Sequence, residues 1–144
     1  MSDTIETRQQ EIIEEFNMFT DWMQKYEYII ELGNDLSLLD IDKKNDDLLI
    51  KSCQSKVWLH AEFTDDQRLR FTADSEAIIT KGLVALIVRI FDNEKPTDIL
   101  KADLHFVKTI GLQEHLSPTR SNGLAGMIQQ IKNYALAFQL KQTS

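Results

Sequence analysis

At 144 residues the chain has the length of one ordinary domain, and 42% hydrophobic with 27% charged residues supplies a core without metal or disulfide support. A formal net charge of -7 argues against nucleic acid or an anionic membrane as the main partner, because both select clustered Lys and Arg. The single cysteine, Cys53, excludes an internal disulfide and suits a reducing cytoplasm. Met1 to Arg8 lacks the apolar stretch of a signal peptide, and the longest apolar run, Gly82 to Val88, is far too short for a membrane span. A soluble chain with one domain over residues 1–144 is expected.

Ile5, Ile12, Ile13, Phe16 and Phe19 recur at helical spacing, with Glu6, Glu11, Glu14 and Glu15 opposite, and predict an amphipathic helix from Ile5 to about Phe19. A second helix capped at Thr20, with Asp21 in its first turn, carries Trp22, Met23, Tyr26, Ile29 and Ile30 and stops at Gly33 and Asn34. Trp22, Tyr26 and Tyr28 are read as core residues rather than a stacking platform. The acidic stretch Asp40 to Asp47 reads as a solvated loop, and Leu48, Leu49 and Ile50 as a short strand.

Val57, Leu59, Ala61 and Phe63 alternate with Trp58, His60 and Glu62, and after a turn at Asp65, Asp66 and Gln67 the residues Leu69, Phe71 and Ala73 alternate in the same way. These runs predict a small antiparallel sheet of at least three strands. Asp74 and Ser75 end it, and either side chain is placed to accept from the first amides of an apolar helix over Ala77 to Phe91. Gly82 inside that helix predicts a close contact with another element. Pro96 opens a short helix, Thr97 to about Asp103, and a further piece spans Leu104 to Ile110 before Gly111. The last helix begins after Ser117 and Pro118, with Arg120, Ser121 and Asn122 in a first turn thinned by Gly123 and Gly126, and Leu124, Met127, Ile128, Ile131, Ala135 and Phe138 on its apolar face. The class is α+β, with N-terminal and C-terminal helices packed on one face of the sheet.

Cys53 lies between the two expected strands, among the polar residues Ser52, Gln54 and Ser55 and near Lys51 and Lys56. Loop tips are exposed, and nearby positive charge favours the nucleophilic thiolate, so a reactive thiol is one reading. A small buried hydrophobe without chemistry is the other. One cysteine with His60, His105 and His115 scattered along the chain has neither iron-sulfur nor zinc spacing, and no hydrolase motif accompanies it. The histidines are read as packing or surface residues.

The run Cys53, Gln54, Ser55, Lys56, Val57, Trp58, Leu59 resembles the cysteine-loop signature of the SufE family, small sulfur acceptors that assist iron-sulfur cluster assembly. Leu116 to Leu124 with Met127 and Ile128 is similar to the family's signature near its last helix, and Asp74, Ser75, Ala77, Ile78, Ile79, Lys81, Gly82 and Leu83 to a third stretch. The resemblance implies that Cys53 takes persulfide sulfur from a pyridoxal-phosphate-dependent cysteine desulfurase (SufS or CsdA type), stimulates it, and passes the sulfur to an iron-sulfur scaffold complex (SufBCD type). It implies an accessory protein rather than a stand-alone enzyme, with no cofactor or metal of its own. It places Gln54, Ser55, Asp74 and Arg120 as loop support or partner contacts, while a structural ion pair for Arg120 and a helix cap or turn for Asp74 remain open. Ser52 and Ala73 stand where the family commonly has glycine, which bears on loop geometry. Two alternatives stay open: an interaction module that regulates a desulfurase without carrying sulfur, and a thiol peroxide sensor.

Overall fold

A computed structural model describes residues 4–35 and 56–143. The elements run in the order α1 (Thr4–Asn17), α2 (Trp22–Asn34), β1 (Val57–Phe63), β2 (Leu69–Ser75), α3 (Ile78–Phe91), α4 (Pro96–Lys101), α5 (Phe106–Ile110), α6 (Leu112–His115) and α7 (Pro118–Thr143).

The alternating runs pair as an antiparallel hairpin, with Val57 opposite Ser75, Leu59 opposite Ala73 and Phe63 opposite Leu69. Strand side chains alternate between faces, so Val57, Leu59, Leu69, Phe71 and Ala73 are buried together on one of them. That face rests on α3 and α7, whose Val84, Ile87, Met127 and Ile131 adjoin Val57 and Leu59. Tyr134 of α7 also donates its hydroxyl to the Leu59 carbonyl at 3.0 Å.

The class is α+β as expected, but the sheet has two strands among the described residues instead of at least three. The strand expected over Leu48–Ile50 lies outside them, as does the loop expected over Asp40–Asp47. On the other edge of β2, among the described residues, only a bridge from Leu69 to Glu94 extends the pairing. The chain enters it through Asn93 at φ 64°, and the Asp92 carboxylate takes up the Phe71 amide at 2.8 Å.

α3 is buried through Leu83, Val84, Leu86, Ile87, Ile90 and Phe91 and forms the centre of the core. α1 lies against it with Ile12, Ile13 and Phe16 inward. Arg8 donates to the Ile90 and Asp92 carbonyls at 3.0 and 2.7 Å, which satisfies acceptors left over at the end of α3. Buried Gln9 bridges the Asp103 carbonyl and the Phe106 amide, both at 3.1 Å, and ties α1 to the α4–α5 connection.

Two local expectations need correction. Asp21, not Thr20, caps α2, accepting from the Gln24 amide at 2.9 Å, since a carboxylate oxygen one residue closer reaches the third helical amide. α2 ends at Asn34, as expected, and Gly33 in its last turn also packs on Gly82 of α3. The helix expected from Ala77 starts at Ile78, with Ala77 as a cap residue that receives no side-chain hydrogen bond.

Candidate functional site

β1 starts at Val57, within the cysteine signature and four residues after Cys53. Cys53, with Ser52, Gln54 and Ser55, lies outside the described residues. What the structure describes is the root of that segment, Lys56, and the elements around it.

The end of β2 turns into α3 over Glu76 and Ala77, and this turn folds back onto Lys56. The Ser75 hydroxyl donates to the Lys56 carbonyl at 2.9 Å, and the Glu76 amide donates to the same oxygen at 3.2 Å. Ser75 Oγ in turn accepts from the Ala77 amide at 3.3 Å. Its hydroxyl is therefore used in both directions, which a side chain 9% exposed requires if no polar group is to be stranded.

Asp74 is the residue before it and is 6% exposed. Its Oδ1 accepts from the Ser75 amide at 2.8 Å and faces Lys81 Nζ at 3.4 Å. Only the bend from strand into helix brings Asp74 and Lys81 together. Neither Asp74 nor Ser75 caps α3: Ser75 binds one residue short of the helix, and Asp74 serves the strand end. Sequence reasoning placed Lys81 in a family stretch without pairing it with Asp74, because the two sit across a change of secondary structure where no fixed spacing rule applies. Ala73, in place of a family glycine, pairs with Leu59 as ordinary strand and is absent from the positive-φ residues, so the backbone there needs no glycine.

Arg120 occupies the first turn of α7. Its amide donates to Ser117 Oγ at 3.3 Å, while its side chain is exposed. No hydrogen bond or ion pair of its guanidinium, to Asp74 or any other residue, occurs among the described residues, so the structural ion pair considered for it is not present there. The turn leading into α7 is fixed from behind. Trp22 stacks on His115 with centroids 3.9 Å apart and planes 15° apart, the Tyr26 hydroxyl donates to the His115 carbonyl, and His115 Nδ1 meets the Gly111 carbonyl at 3.0 Å. Gly111, at φ 92°, supplies the left-handed residue that ends α5. Beside Ser121 an open cleft of about 130 Å³ is lined by Leu104, Val107, Leu116, Leu124 and Ile128.

Trp22 and Tyr26 pack against the core, as expected of them. His115 is a packing residue, and His105 Nε2 lies within hydrogen-bond distance of a Glu6 carboxylate oxygen, at 2.7 Å. Hydrogen bonds from Gln10 first, and then from His105, hold the Glu6 carboxyl below the usual carboxylate range. Among the described residues no group of three or more His, Cys, Asp or Glu can hold a metal ion, and no helix is long and apolar enough to cross a membrane.

Comparison with known proteins bears on the whole chain. The family profile "SufE: Fe-S metabolism associated domain" matches residues 10–135. An uncharacterized SufE-like protein of Rhizobium meliloti is 37% identical over 129 residues, covering 87% of this chain and 92% of that protein. SufE-like protein 1, chloroplastic/mitochondrial, of Arabidopsis thaliana is 34% identical over 132 residues, which is 92% of this chain and 36% of that longer one. The solution structure of a hypothetical protein from Thermus thermophilus superposes with a TM-score of 0.75 over 92% of this chain and 96% of that one, at 16% identity, a likeness of fold. With the profile spanning most of the chain and two such relatives agreeing, the chain belongs to the SufE family, whose domain is associated with iron-sulfur metabolism.

Proposed function

We propose that this protein is a sulfur acceptor and carrier for a pyridoxal-phosphate-dependent cysteine desulfurase, with Cys53 as the carrying thiol. The observation that carries the reading is membership of the family over residues 10–135, a range that contains Cys53 and its signature. The structure adds support of a different kind: Lys56 is pinned at the sheet end, and Cys53 is three residues away, within about 11 Å of extended chain.

The transfer is a thiol exchange. The Cys53 thiolate attacks the outer sulfur of the partner's persulfide, a bond forms between Cys53 Sγ and that sulfur, and the partner's S–S bond breaks. The partner cysteine leaves as a thiolate, the hydrogen stays on the transferred sulfur, and no electron is gained or lost overall. Access and partial ionisation are needed, and the sequence sets Lys51 and Lys56 within three residues of the thiol. A lone thiol suits carriage, because a neighbouring cysteine would discharge the persulfide as a disulfide. The next acceptor is an iron-sulfur scaffold, and a reducing cytoplasm keeps the thiol available between cycles.

Arg120 and Asp74 serve this chemistry in different ways. The exposed guanidinium of Arg120 offers a planar donor fork to the docked enzyme or to the cysteine segment. Asp74 supports the strand end from which the segment departs. Ile78, 63% exposed in the first turn of α3, adds an aliphatic contact for the desulfurase at the same end of the molecule.

Incubation with a cysteine desulfurase and cysteine, followed by intact-mass measurement, is the test. The wild type is expected to gain one sulfur atom, removable by reductant, and Cys53→Ser to gain none while keeping its circular dichroism spectrum. A Cys53→Ser variant that stimulates the desulfurase as fully as wild type would replace the carrier by a non-carrying regulatory module.

A further inference from the structure

We propose that Ser75 is a positioning residue for sulfur transfer: its hydroxyl holds the Lys56 carbonyl, and with it the covalent root from which Cys53 extends. The inference rests on the sulfur-acceptor reading and deepens it.

The geometry is specific. Ser75 pairs with Val57 in the hairpin, so its side chain is delivered to the first residue of β1 by strand register. Among the described residues Lys56 O receives two donors, Ser75 Oγ at 2.9 Å and the Glu76 amide at 3.2 Å, although Lys56 itself is exposed and outside the strand. Ser75 is held in turn. Its hydroxyl accepts from the Ala77 amide at 3.3 Å, and its own amide is bound by Asp74 Oδ1 at 2.8 Å, a carboxylate steadied by Lys81 at 3.4 Å. Lys56, three residues from the thiol in sequence, is thus tied to the strand end and to the start of α3.

Two consequences separate this from a merely structural hydrogen bond. Removing the hydroxyl leaves the Glu76 amide on Lys56 O, so the strand end stays paired and the fold persists. The Lys56 carbonyl is then held by one described donor instead of two, and sulfur transfer, which needs near-contact of two sulfurs along one line, is sensitive to displacements on the order of 1 Å. Docking of the partner does not depend on that hold, whereas the rate of transfer within the docked complex does. Attack on a small reagent arriving from solution does not depend on it either.

Single-turnover transfer from a persulfide-loaded cysteine desulfurase tests this with Ser75→Ala and Ser75→Thr, each measured well below its own melting midpoint. S75A is expected to lower the maximal transfer rate about tenfold, with the half-saturating concentration and the alkylation of Cys53 by iodoacetamide both within about twofold of wild type. S75T, which keeps the hydroxyl, is expected to restore most of the rate. Should S75A be too unstable to measure, S75T carries the test: a rate loss as large as tenfold in a folded S75T overturns the proposal. A wild-type rate in S75A, or a loss confined to the half-saturating concentration, also overturns it. If the wild type gains no sulfur, the sulfur-acceptor reading falls and this proposal with it, whereas a wild type that transfers normally beside an unchanged S75A removes the proposal alone.

Discussion

Gly33 of α2 and Gly82 of α3 face each other at the crossing of their helices: a Cβ on Gly33 would stand 2.8 Å from the Gly82 amide nitrogen, and one on Gly82 would overlap the Ile29 carbonyl. Backbone meets backbone there, and neither side can yield by rotating a side chain. α2 is thereby set against the helix that occupies the centre of the core.

Gly82→Ala is therefore expected to destabilise. Alanine in place of glycine inside an exposed helix gains about 1 kcal/mol from propensity. Overpacking at a rigid contact costs about 1 to 3 kcal/mol, and forcing two backbones apart puts this site at the upper end. Urea unfolding should show a net loss of about 2 kcal/mol. An equal or higher midpoint in G82A would mean that the helices separate without cost.

Glu15 and Arg89 form a second joint, between α1 and α3. The two guanidinium nitrogens of Arg89 reach the two Glu15 oxygens at 2.8 and 2.5 Å, and the Tyr28 hydroxyl donates to the same carboxylate. Arg89 chiefly, aided by Tyr28, holds the Glu15 carboxyl below its usual range against the opposing effect of partial burial. A depressed carboxyl contributes stability above the unfolded value, near pH 4.5, and loses it as pH falls through the folded value. Both side chains are about a third exposed, so solvent screening keeps the contribution on the order of 1 kcal/mol. Glu15→Gln should be less stable than wild type by that amount at pH 7, and the difference should shrink below about pH 4.5. A gap that stays constant down to pH 3 in paired urea titrations would rule the ion pair out as its source.

Tyr28 reports on the same joint from the alkaline side. Burial first, and then the Glu15 carboxylate, push its phenol up to about 12. The raised value means that its contribution is complete below the ordinary tyrosine range and is lost as pH rises through the folded value. The phenolate absorbance assigned by difference from Tyr28→Phe should thus be missing at pH 11 in folded protein. Its appearance at the ordinary value of about 10 would show that the ring is not shielded.

Arg120→Ala should separate function from stability. The guanidinium is exposed and bonds no described residue, so the melting temperature is expected to move by no more than about 2 °C. Stimulation of a cysteine desulfurase should fall about tenfold, the size of one charge-assisted hydrogen bond. A large drop in melting temperature with unimpaired stimulation would return Arg120 to a structural role.

Elements generated by local periodicity were readable in the sequence. The alternation from Val57 to Ala73 determines both strands and their inward face, and the apolar run after Ser75 identifies the buried helix, because each pattern follows from the side-chain period of one element. Gly82 was readable for the same reason, as an unfavourable residue that a close contact must compensate. The partner of that contact was not. Gly33 reads as part of a helix stop, and α2 does end at Asn34, but nothing in one dimension shows that the same glycine sits at a helix crossing. Thr20 and Asp21 are both good caps, and which of them reaches the Gln24 amide depends on the path of the α1–α2 turn. The joints Glu15 with Arg89, Trp22 with His115 and Asp74 with Lys81 are made by folding and leave no spacing signature. The cysteine signature itself was legible from resemblance, while its structural surroundings reduce to the root at Lys56.

The Asp74–Lys81 pair shows how a structural joint can be told from a functional one. Asp74 is nearly buried and Lys81 is about a quarter exposed, so removal of the lysine leaves a carboxylate with less compensation than it has now. Lys81→Met, which keeps the apolar stem, should cost about 1 to 3 kcal/mol, below the range for a fully buried pair because water still reaches the cation. Asp74→Asn retains an oxygen for the Ser75 amide and removes the charge, so in the D74N background the lysine has less to neutralise. The double variant should be more stable than the sum of the single losses by at least about 0.5 kcal/mol. Additive losses in urea unfolding would show that the 3.4 Å approach carries no coupling, and the strand end would then be held by Ser75 and the Glu76 amide without help from the charges behind them.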